Sequence, residues 1–282
     1  MVRARNASTS TTEDDITTET LRRFEGTPDP RLREIMLSLT RHLHAFVKEV
    51  QLTEAEWHEG IRFLTATGHT CDNARQEFVL LSDTMGVSMV VDLINHRKPA
   101  GTTESTVFGP YHRPGAPELP MGATIAPPGE PGTPATISGL VLDTSGNPSE
   151  GAVLDVWQTN SDGLYDAQIP DVDVLQMRGK FRTGKDGRYV IRTIRPVHYP
   201  VPTDGPVGRM LRATNRDPNR PAHTHFEVSA TGYEPLTTHL FDSIDPYLRS
   251  DAVFAVKDSL IVDFTEKDGH ATTAFDFVLK PV

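Results

Sequence analysis

Residues 220–228 of this 282-residue chain read RPAHTHFEV, and from His223 onward side chains of two kinds alternate. A period of two predicts a β-strand with one face toward a core, so Phe226 and Val228 would be buried. His223 and His225 would then project together from the opposite face. Two imidazoles on one face of a strand can bind the same metal ion, although a His-x-His pair alone is weak support for a metal site.

Short runs of the same kind on both sides of this stretch predict an antiparallel β-sandwich over residues 135–282. The runs are separated by turns rich in Gly, Asn, Asp and Pro and have no helices between them, which favours two packed sheets over alternating strands and helices. The predicted strands are Ile137–Asp143, Val153–Trp157, Tyr189–Ile194, His223–Val228, Leu236–Phe241, Leu260–Phe264 and Phe275–Leu279.

The N-terminal part of the chain has helical patterns instead. Apolar residues recur at helical spacing over Leu32–Val50, which predicts a helix with one long apolar stripe. Thr53 and Glu56 have the spacing of a capping box and predict the start of the next helix. A third apolar helix is predicted over Phe78–Asn95, continuing across Gly86.

Composition divides the chain into four segments. Residues 1–20 are rich in Ser and Thr and nearly free of large apolar side chains, which predicts a disordered tail. Pro and Gly cluster without periodicity in the long connection that follows the helices, which is typical of a functional loop or a linker. We predict an α+β protein with a helical domain at 21–100, a linker and pocket loop at 101–134, and an antiparallel β-sandwich at 135–282 that holds the metal.

Composition also excludes several classes of function. The formal net charge of -10 disfavours nucleic-acid binding, because phosphate contacts need clustered Lys and Arg. Cys71 is the single cysteine, so a disulfide framework and a cysteine-based zinc or iron–sulfur site are excluded, and we interpret Cys71 as a small buried residue. The sequence has no apolar run of about 18 residues and no signal-peptide core, so we expect a cytoplasmic protein that does not enter a membrane.

Two tyrosines in irregular segments are further candidate ligands. Tyr165 directly follows the turn NSDGL at 160–164, and Tyr199 lies in the proline-rich segment PVHYP at 196–200. Each tyrosine alone would be interpreted as a half-buried ring with a solvated hydroxyl. Beside a histidine pair they favour oxidised iron over zinc, since phenolate oxygen is a hard ligand and a strong Lewis acid keeps a phenol deprotonated at neutral pH.

The segment RPAHTHF at 220–226, with WQTN at 157–160 and GLY at 163–165, resembles the signature of the intradiol ring-cleavage dioxygenases. The resemblance runs from about Leu21 to the C-terminus. It implies a helical domain through which the protein forms a homodimer, a β-sandwich that holds one non-haem Fe(III) per chain, and cleavage of a small aromatic diol or triol with O2. By motif, the iron ligands are Tyr165, Tyr199, His223 and His225.

Within that family, segments such as GVSMVVD at 86–92 and SDAVF at 250–254 are more similar to enzymes that cleave hydroxyquinol (benzene-1,2,4-triol). The resemblance then implies a product, 3-hydroxy-cis,cis-muconate, that tautomerises to maleylacetate; catechol and chlorocatechol are the alternative substrates. It assigns proton acceptance to Tyr199 and stabilisation of the electron-rich ring to Arg220. The candidate substrate-binding residues are Leu80, Asp83, Val107, Gly109, Pro110, Tyr111, Arg220 and His239.

Three of these pocket residues leave alternatives open. Asp83 is either a hydrogen-bond partner for the third ring hydroxyl or a carboxylate on a helix surface. His239 stands where many catechol enzymes carry glutamine, and it either tunes the site or is a satisfied strand histidine. Tyr111 stands where an aromatic residue without a hydroxyl is also common.

Two functions of other kinds also remain open on the sequence. A carbohydrate-binding or adhesive β-sandwich would share the strand and turn pattern and carry no catalytic ligands. A zinc hydrolase would use His223, His225 and a carboxylate such as Asp166. Iron content and visible absorption distinguish both from the dioxygenase, because tyrosinate bound to ferric iron is coloured.

Overall fold

The computed structural model describes residues 11–72, 75–169 and 174–282. The chain divides into two compact units, one up to Thr65 and one from Ala66 onward. The first ten residues of the predicted disordered tail lie outside the described residues. In the part of the chain that is described, no helix is long and apolar enough to cross a lipid bilayer.

Helix α1 (Glu13–Phe24) corrects the prediction of disorder up to residue 20. A capping box begins the helix: the Thr12 hydroxyl accepts a hydrogen bond from the Asp15 amide at 3.2 Å, and the Asp15 carboxylate accepts one from the Thr12 amide at 2.9 Å. Three acidic residues in its first turn also stabilise the helix by interacting with the positive end of its dipole. The prediction was wrong there because capping and charge stabilise the start of this helix, in which Ile16 is the single large apolar side chain before residue 21.

Helices α2 (Pro30–Glu49) and α3 (Glu54–His69) confirm the periodicity and the capping box. The Thr53 amide donates to the Glu56 carboxylate at 2.9 Å, and the Glu56 amide donates to the Thr53 hydroxyl at 3.3 Å. The apolar stripe of α2 stays largely uncovered within this single chain. Its exposed members are Leu32, Ile35, Leu39, Leu43, Phe46, Val47 and Val50.

The predicted helix Phe78–Asn95 is two helices, α4 (Glu77–Thr84) and α5 (Val87–Asn95). Gly86 separates them with a φ of 74°, in the left-handed region that ends a helix and that glycine adopts readily. Buried Leu80 of α4 and Met89 of α5 belong to the same apolar cluster as Val107 and Phe241. These two helices therefore pack within the unit that contains the strands.

Within the residues that the structure describes, ten strands form two five-stranded sheets. The first sheet consists of β1 (Pro134–Asp143), β4 (Arg188–Ile194), β10 (Thr265–Lys267), β11 (His270–Ala274) and β12 (Phe277–Leu279). The second consists of β2 (Val153–Trp157), β3 (Arg178–Arg182), β7 (His223–Ser229), β8 (Leu236–Asp242) and β9 (Ile261–Val262). A separate pair, β5 (Tyr199–Pro200) and β6 (Asn219–Arg220), flanks helix α6 (Pro206–Ala213).

The sheets are mixed, whereas we predicted an antiparallel sandwich. Strand β1 pairs in parallel with β11 and β12, and β8 pairs in parallel with β9. Parallel neighbours need a long connection between them, and each of these pairs is separated by other elements of the chain. The predicted strand Leu260–Phe264 is reduced to the two residues of β9, which follow a 3₁₀ turn at Asp258–Leu260.

The two sheets bury their facing side chains in one core, which confirms the sandwich. Ile137 of the first sheet and Leu154, Phe226 and Val228 of the second are all completely buried in this cluster. Because Phe226 and Val228 face the core, the alternating histidines of β7 lie on the outer face of the second sheet.

Candidate metal centre

The structure brings the four predicted ligands together. The Tyr165 hydroxyl lies 2.9 Å from the Tyr199 hydroxyl and 2.8 Å from Nε2 of His225. Nε2 of His223 lies 3.1 Å from Nε2 of His225 and 3.4 Å from the Tyr199 hydroxyl. All four side chains are at most 5% exposed. Two phenol oxygens and two imidazole nitrogens therefore converge on one buried point.

Local backbone geometry delivers each tyrosine to this point. In the turn before Tyr165, the Asn160 carboxamide oxygen accepts a hydrogen bond from the Leu164 amide at 2.9 Å. Gly163 has a φ of 76°, and a Cβ there would lie only 2.8 Å from Cβ of Tyr199, so no larger residue fits. Tyr199 itself lies opposite Arg220 in the β5–β6 pair. The turn before Tyr165 and the β5–β6 pair thus hold the two tyrosines close together.

Hydrogen bonding fixes the tautomer of His223. Its Nδ1 lies 2.6 Å from the carbonyl oxygen of Pro221, which can only accept, so Nδ1 carries the proton. Nε2 then presents its lone pair to the other ligands. Burial lowers the pKa of His223 and His225 well below the usual range, and the positive charge of Arg220 lowers both further. Both rings are therefore neutral, which is the form that binds metals.

The donor set fits an iron ion. Burial raises the pKa of both phenols, and that of Tyr165 lies well above its usual value. In the described protein the phenols would accordingly stay protonated, and a bound Lewis acid would be needed to make them phenolates. Two hard oxygen donors with two imidazoles match ferric iron better than zinc.

Asp166, the carboxylate considered for a zinc site, already has other partners. Its oxygens accept hydrogen bonds from the Arg178 guanidinium, one of them from Nε at 2.8 Å, and both side chains are buried. A carboxylate engaged in this buried ion pair is not available as a metal ligand. Asp166 is therefore not the third ligand of a zinc site.

A cavity beside the four ligands contains most of the predicted pocket residues. Tyr165, Tyr199 and His225 are among the residues that line it. The predicted residues that line it are Leu80, Asp83, Val107, Gly109, Pro110, Tyr111 and Arg220. Sequence reasoning missed Val201, Pro202 and Val253, which also line it. These are apolar residues of irregular segments, and the available signals were the proximity of Val201 to Tyr199 in the sequence and the place of Val253 in the SDAVF segment.

Arg220 is a buried guanidinium with one free edge. Its Nη1 donates to the Tyr199 hydroxyl at 3.3 Å and to His223 at 3.1 Å, and its Nε donates to Asp251 at 3.3 Å. Nη2 is buried and has no hydrogen-bond partner among the described residues. Arg220 thus places a fixed positive charge on the cavity wall with one donor unused.

Asp83 and Tyr111 are two further polar residues in the cavity wall. Asp83 is only 4% exposed, so it is not the surface carboxylate that the sequence left as an alternative. Burial raises the pKa of Asp83, and that of Tyr111 is raised for the same reason. The Tyr111 ring stacks on Tyr165 with centroids 4.7 Å apart.

His239 was predicted to contact the substrate, and the structure corrects this. It is completely buried and does not line the cavity. Its ring lies beside His225 with centroids 4.0 Å apart, and its Nδ1 is hydrogen-bonded to the Thr106 hydroxyl. The reason is its position on β8 directly opposite His225, which puts its ring beside His225 on the same face of the sheet and outside the cavity lining.

Similarity to known proteins extends over nearly the whole chain. The family profile described as "Dioxygenase" matches residues 107–281, and the profile described as "Catechol dioxygenase N terminus" matches residues 29–103. A 6-chlorohydroxyquinol 1,2-dioxygenase of Cupriavidus pinatubonensis is 51% identical, over 95% of this chain and 97% of that protein. A hydroxyquinol 1,2-dioxygenase of Rhizobium sp. is 54% identical, over 86% of this chain and 82% of that protein.

A solved structure has the same architecture. The hydroxyquinol 1,2-dioxygenase from Pseudomonas putida DLL-E4 superposes with a TM-score of 0.90 at 51% sequence identity. The superposition covers 96% of this chain and 99% of that chain.

Proposed function

This chain belongs to the intradiol ring-cleavage dioxygenases, and from that premise we propose that it cleaves hydroxyquinol with O2 to 3-hydroxy-cis,cis-muconate, which tautomerises to maleylacetate. One observation carries the choice of substrate. The cavity that is lined by two phenols and an imidazole is also lined by a buried carboxylate, Asp83, which suits a ring with a third hydroxyl. Catechol and chlorocatechol lack that hydroxyl and are the alternative substrates.

The family is iron-dependent, and we propose that one Fe(III) per chain is bound by Tyr165, Tyr199, His223 and His225. The support is the convergence of these four side chains and the neutral state of both imidazoles. When bound, the ferric ion would act as a Lewis acid: it would bind the adjacent hydroxyl oxygens of the substrate and polarise the ring toward dioxygen.

Tyr199 is the proposed acceptor for a substrate proton. Its hydroxyl is the phenol that receives a hydrogen bond from Arg220, at 3.3 Å. Burial raises the pKa of Tyr199, and Arg220 opposes that rise by favouring the phenolate. Tyr165 lies under the Tyr111 ring, and burial together with the charge of Tyr199 raises its pKa further. The two tyrosines thus differ in surroundings, which fits a proton-accepting role for Tyr199 and a role for Tyr165 as a ligand alone.

Arg220 is proposed to stabilise the negative charge that develops on the ring during cleavage. It is already fixed by Tyr199, His223 and Asp251, so it needs no reorganisation when the substrate reacts. Its unused Nη2 is the donor available to the cavity. A preoriented cation in a buried site stabilises charge far more than the same cation in water.

Asp83 is proposed to bind the third hydroxyl. A buried carboxyl group has few solvent molecules to replace a missing partner, so binding catechol would leave Asp83 with its hydrogen bond to Ser88 but without the additional bond from a third ring hydroxyl. The 4% exposure of Asp83 supports a strong preference for the triol.

The assembly is proposed to be a homodimer formed through the N-terminal helices. The apolar stripe of α2 is exposed in the single chain over its whole length, from Leu32 to Val50. Contiguous apolar surface of this kind usually marks a protein interface.

Three measurements on the purified protein test the proposed function together. We expect about one iron per chain by metal analysis, a broad visible absorption band from tyrosinate bound to ferric iron, and O2 consumption with hydroxyquinol in excess of that with catechol. His223→Ala and His225→Ala should lose the colour and the activity. A colourless protein that retains zinc, or iron and activity retained in both variants, would contradict the assignment.

A further inference from the structure

The two histidine ligands are held in different ways. Nδ1 of His223 donates to the Pro221 carbonyl, which fixes the ring and directs Nε2 inward. Nδ1 of His225 is buried and has no hydrogen-bond partner among the described residues. Metal-binding histidines normally use the second nitrogen as an anchor, because the Cβ–Cγ torsion of a histidine has only a broad intrinsic preference. Something else must therefore orient His225.

Packing on both sides of the ring takes the place of that anchor. Strand β7 lies between β2 and β8, and His225 is directly opposite Trp157 on β2 and His239 on β8. The Trp157 ring stacks on His225 with centroids 4.7 Å apart and planes 16° apart. The His239 ring lies 4.0 Å away on the other side. His225 is thus confined between two rings that the strand register places there.

His239 is itself tied to the loop that forms the cavity wall. Its Nδ1 is hydrogen-bonded to the hydroxyl of Thr106, the residue before Val107. The Thr106 amide donates to the carbonyl of Thr237 at 2.9 Å, so the loop follows β8 at this point. Burial lowers the pKa of His239 well below the usual range, so the ring adds no charge to the site.

We propose that His239 is a positioning residue: held by Thr106, its ring fixes the orientation of His225 toward the iron. This inference rests on the proposed iron site. A glutamine at this position could still reach Thr106 but would present a smaller and more flexible face to His225. An aliphatic residue would lose the hydrogen bond and the flat surface together.

The test compares variants that remove the tether (the hydrogen bond between Thr106 and His239), the ring of His239, or both. The variants are Thr106→Val, His239→Gln and His239→Leu. The control is Thr238→Val, because the Thr238 hydroxyl is also buried and donates to the same loop, at the Glu104 carbonyl, from a residue next to His239. Each iron-loaded protein is mixed with a ferric chelator, and the rate of iron release, the visible absorption maximum and the Tm are measured.

We expect Thr106→Val and His239→Leu to release iron about 10-fold to 100-fold faster than the unmodified protein, with a shifted absorption maximum. His239→Gln should lie between them and the unmodified protein. Thr238→Val should lower the Tm as much as Thr106→Val but release iron at the unmodified rate. The double variant Thr106→Val/His239→Leu should match His239→Leu, because the tether acts only through that ring.

Two results would overturn the positioning role. One is iron release that follows Tm equally in Thr106→Val and Thr238→Val, which is what a merely structural role produces. The other is an unchanged release rate and spectrum in His239→Gln and Thr106→Val. Both are read against an unmodified protein that binds iron and cleaves the ring, so either result leaves the proposed function intact. An unmodified protein without iron would overturn both proposals.

Discussion

At the scale of single residues, the burial of Asp83 determines how selective the cavity can be. When the substrate lacks the third hydroxyl, water cannot easily take its place as a hydrogen-bond partner of a carboxyl group that is only 4% exposed. We expect kcat/KM for hydroxyquinol to exceed that for catechol by about 100-fold or more. Asp83→Ala should reduce the difference to about 10-fold, mainly by lowering hydroxyquinol turnover.

Steady-state kinetics with both substrates measure this effect, and Asp83→Asn is the matched control because it keeps the volume and a hydrogen-bonding group. Catechol turned over equally well or better by the unmodified protein would contradict the hydroxyquinol assignment while leaving ring cleavage intact. An unchanged preference in Asp83→Ala would move the selectivity to another wall residue, with Leu80 and Tyr111 next in line.

The two tyrosines give a second residue-scale prediction. Tyr199→Phe should retain iron but lower kcat by about 10²-fold to 10⁴-fold, the usual contribution of a positioned proton acceptor. Tyr165→Phe should instead change the visible band that persists after the substrate binds, because Tyr165 stays on the metal. Anaerobic spectra of both variants with and without substrate decide between them. If the persistent band depended on Tyr199, the two roles would be reversed.

Residue types and local motifs predicted most residues of the site but not all of them. The four ligands and Arg220 lie in polar motifs whose residue types identify the chemistry, and the structure brings these side chains together. Val201 and Val253 are ordinary apolar residues, and only the folded chain shows that they border the cavity. The place of His239 depended on the register between β7 and β8, which the sequence of one strand does not specify.

At the scale of elements, Gly86 is the break that turns one predicted helix into α4 and α5. An alanine there would have to adopt a φ of 74°, which costs about 1–2 kcal/mol, and its Cβ would lie 3.4 Å from the Phe254 ring. Gly86→Ala should therefore lower the free energy of unfolding by at least about 1 kcal/mol in urea denaturation.

Gly60→Ala in α3 is the matched control. Gly60 lies inside a helix with nothing within 4 Å of its Cβ position, so alanine should raise the stability by about 0.5–1 kcal/mol. Equal effects of both substitutions would show that the left-handed break does not specify this part of the fold.

Periodicity predicted most of the longer elements, but it missed α1, β3 and β11. Strand β2 has the predicted bounds, and β4 and β7 differ from the prediction by one residue. The two-residue strands β5, β6 and β9 are too short to show alternation, and α6 was hidden in a segment that begins with proline. The parallel pairs of β1 could not be foreseen, because local patterning does not specify which strands become neighbours.

At the scale of the whole molecule, the stripe on α2 predicts the oligomeric state. Leu39 and Leu43 are 47% and 52% exposed in the single chain, and a second chain covering them would bury that apolar surface. We expect the unmodified protein to sediment as a dimer at micromolar concentration. The double variant Leu39→Glu/Leu43→Glu should sediment as a monomer.

Arg41→Glu is the control for charge, because it changes the net charge by the same -2 as the double variant and lies about 200° around the helix from Leu39. It should remain a dimer. Sedimentation of the unmodified protein as a monomer would refute the role of the stripe.

The pairing of β1 with β12 also has a consequence for the synthesis of the chain. Residues Val141–Asp143 acquire their parallel neighbour only from Phe277–Leu279, and Phe277 is completely buried in the core between the sheets. Thr103, far earlier in the chain, exchanges hydrogen bonds with Val278. A ribosome-bound chain therefore cannot complete the sandwich until Leu279 has left the exit tunnel, and until then its strands expose apolar surface that the folded protein buries.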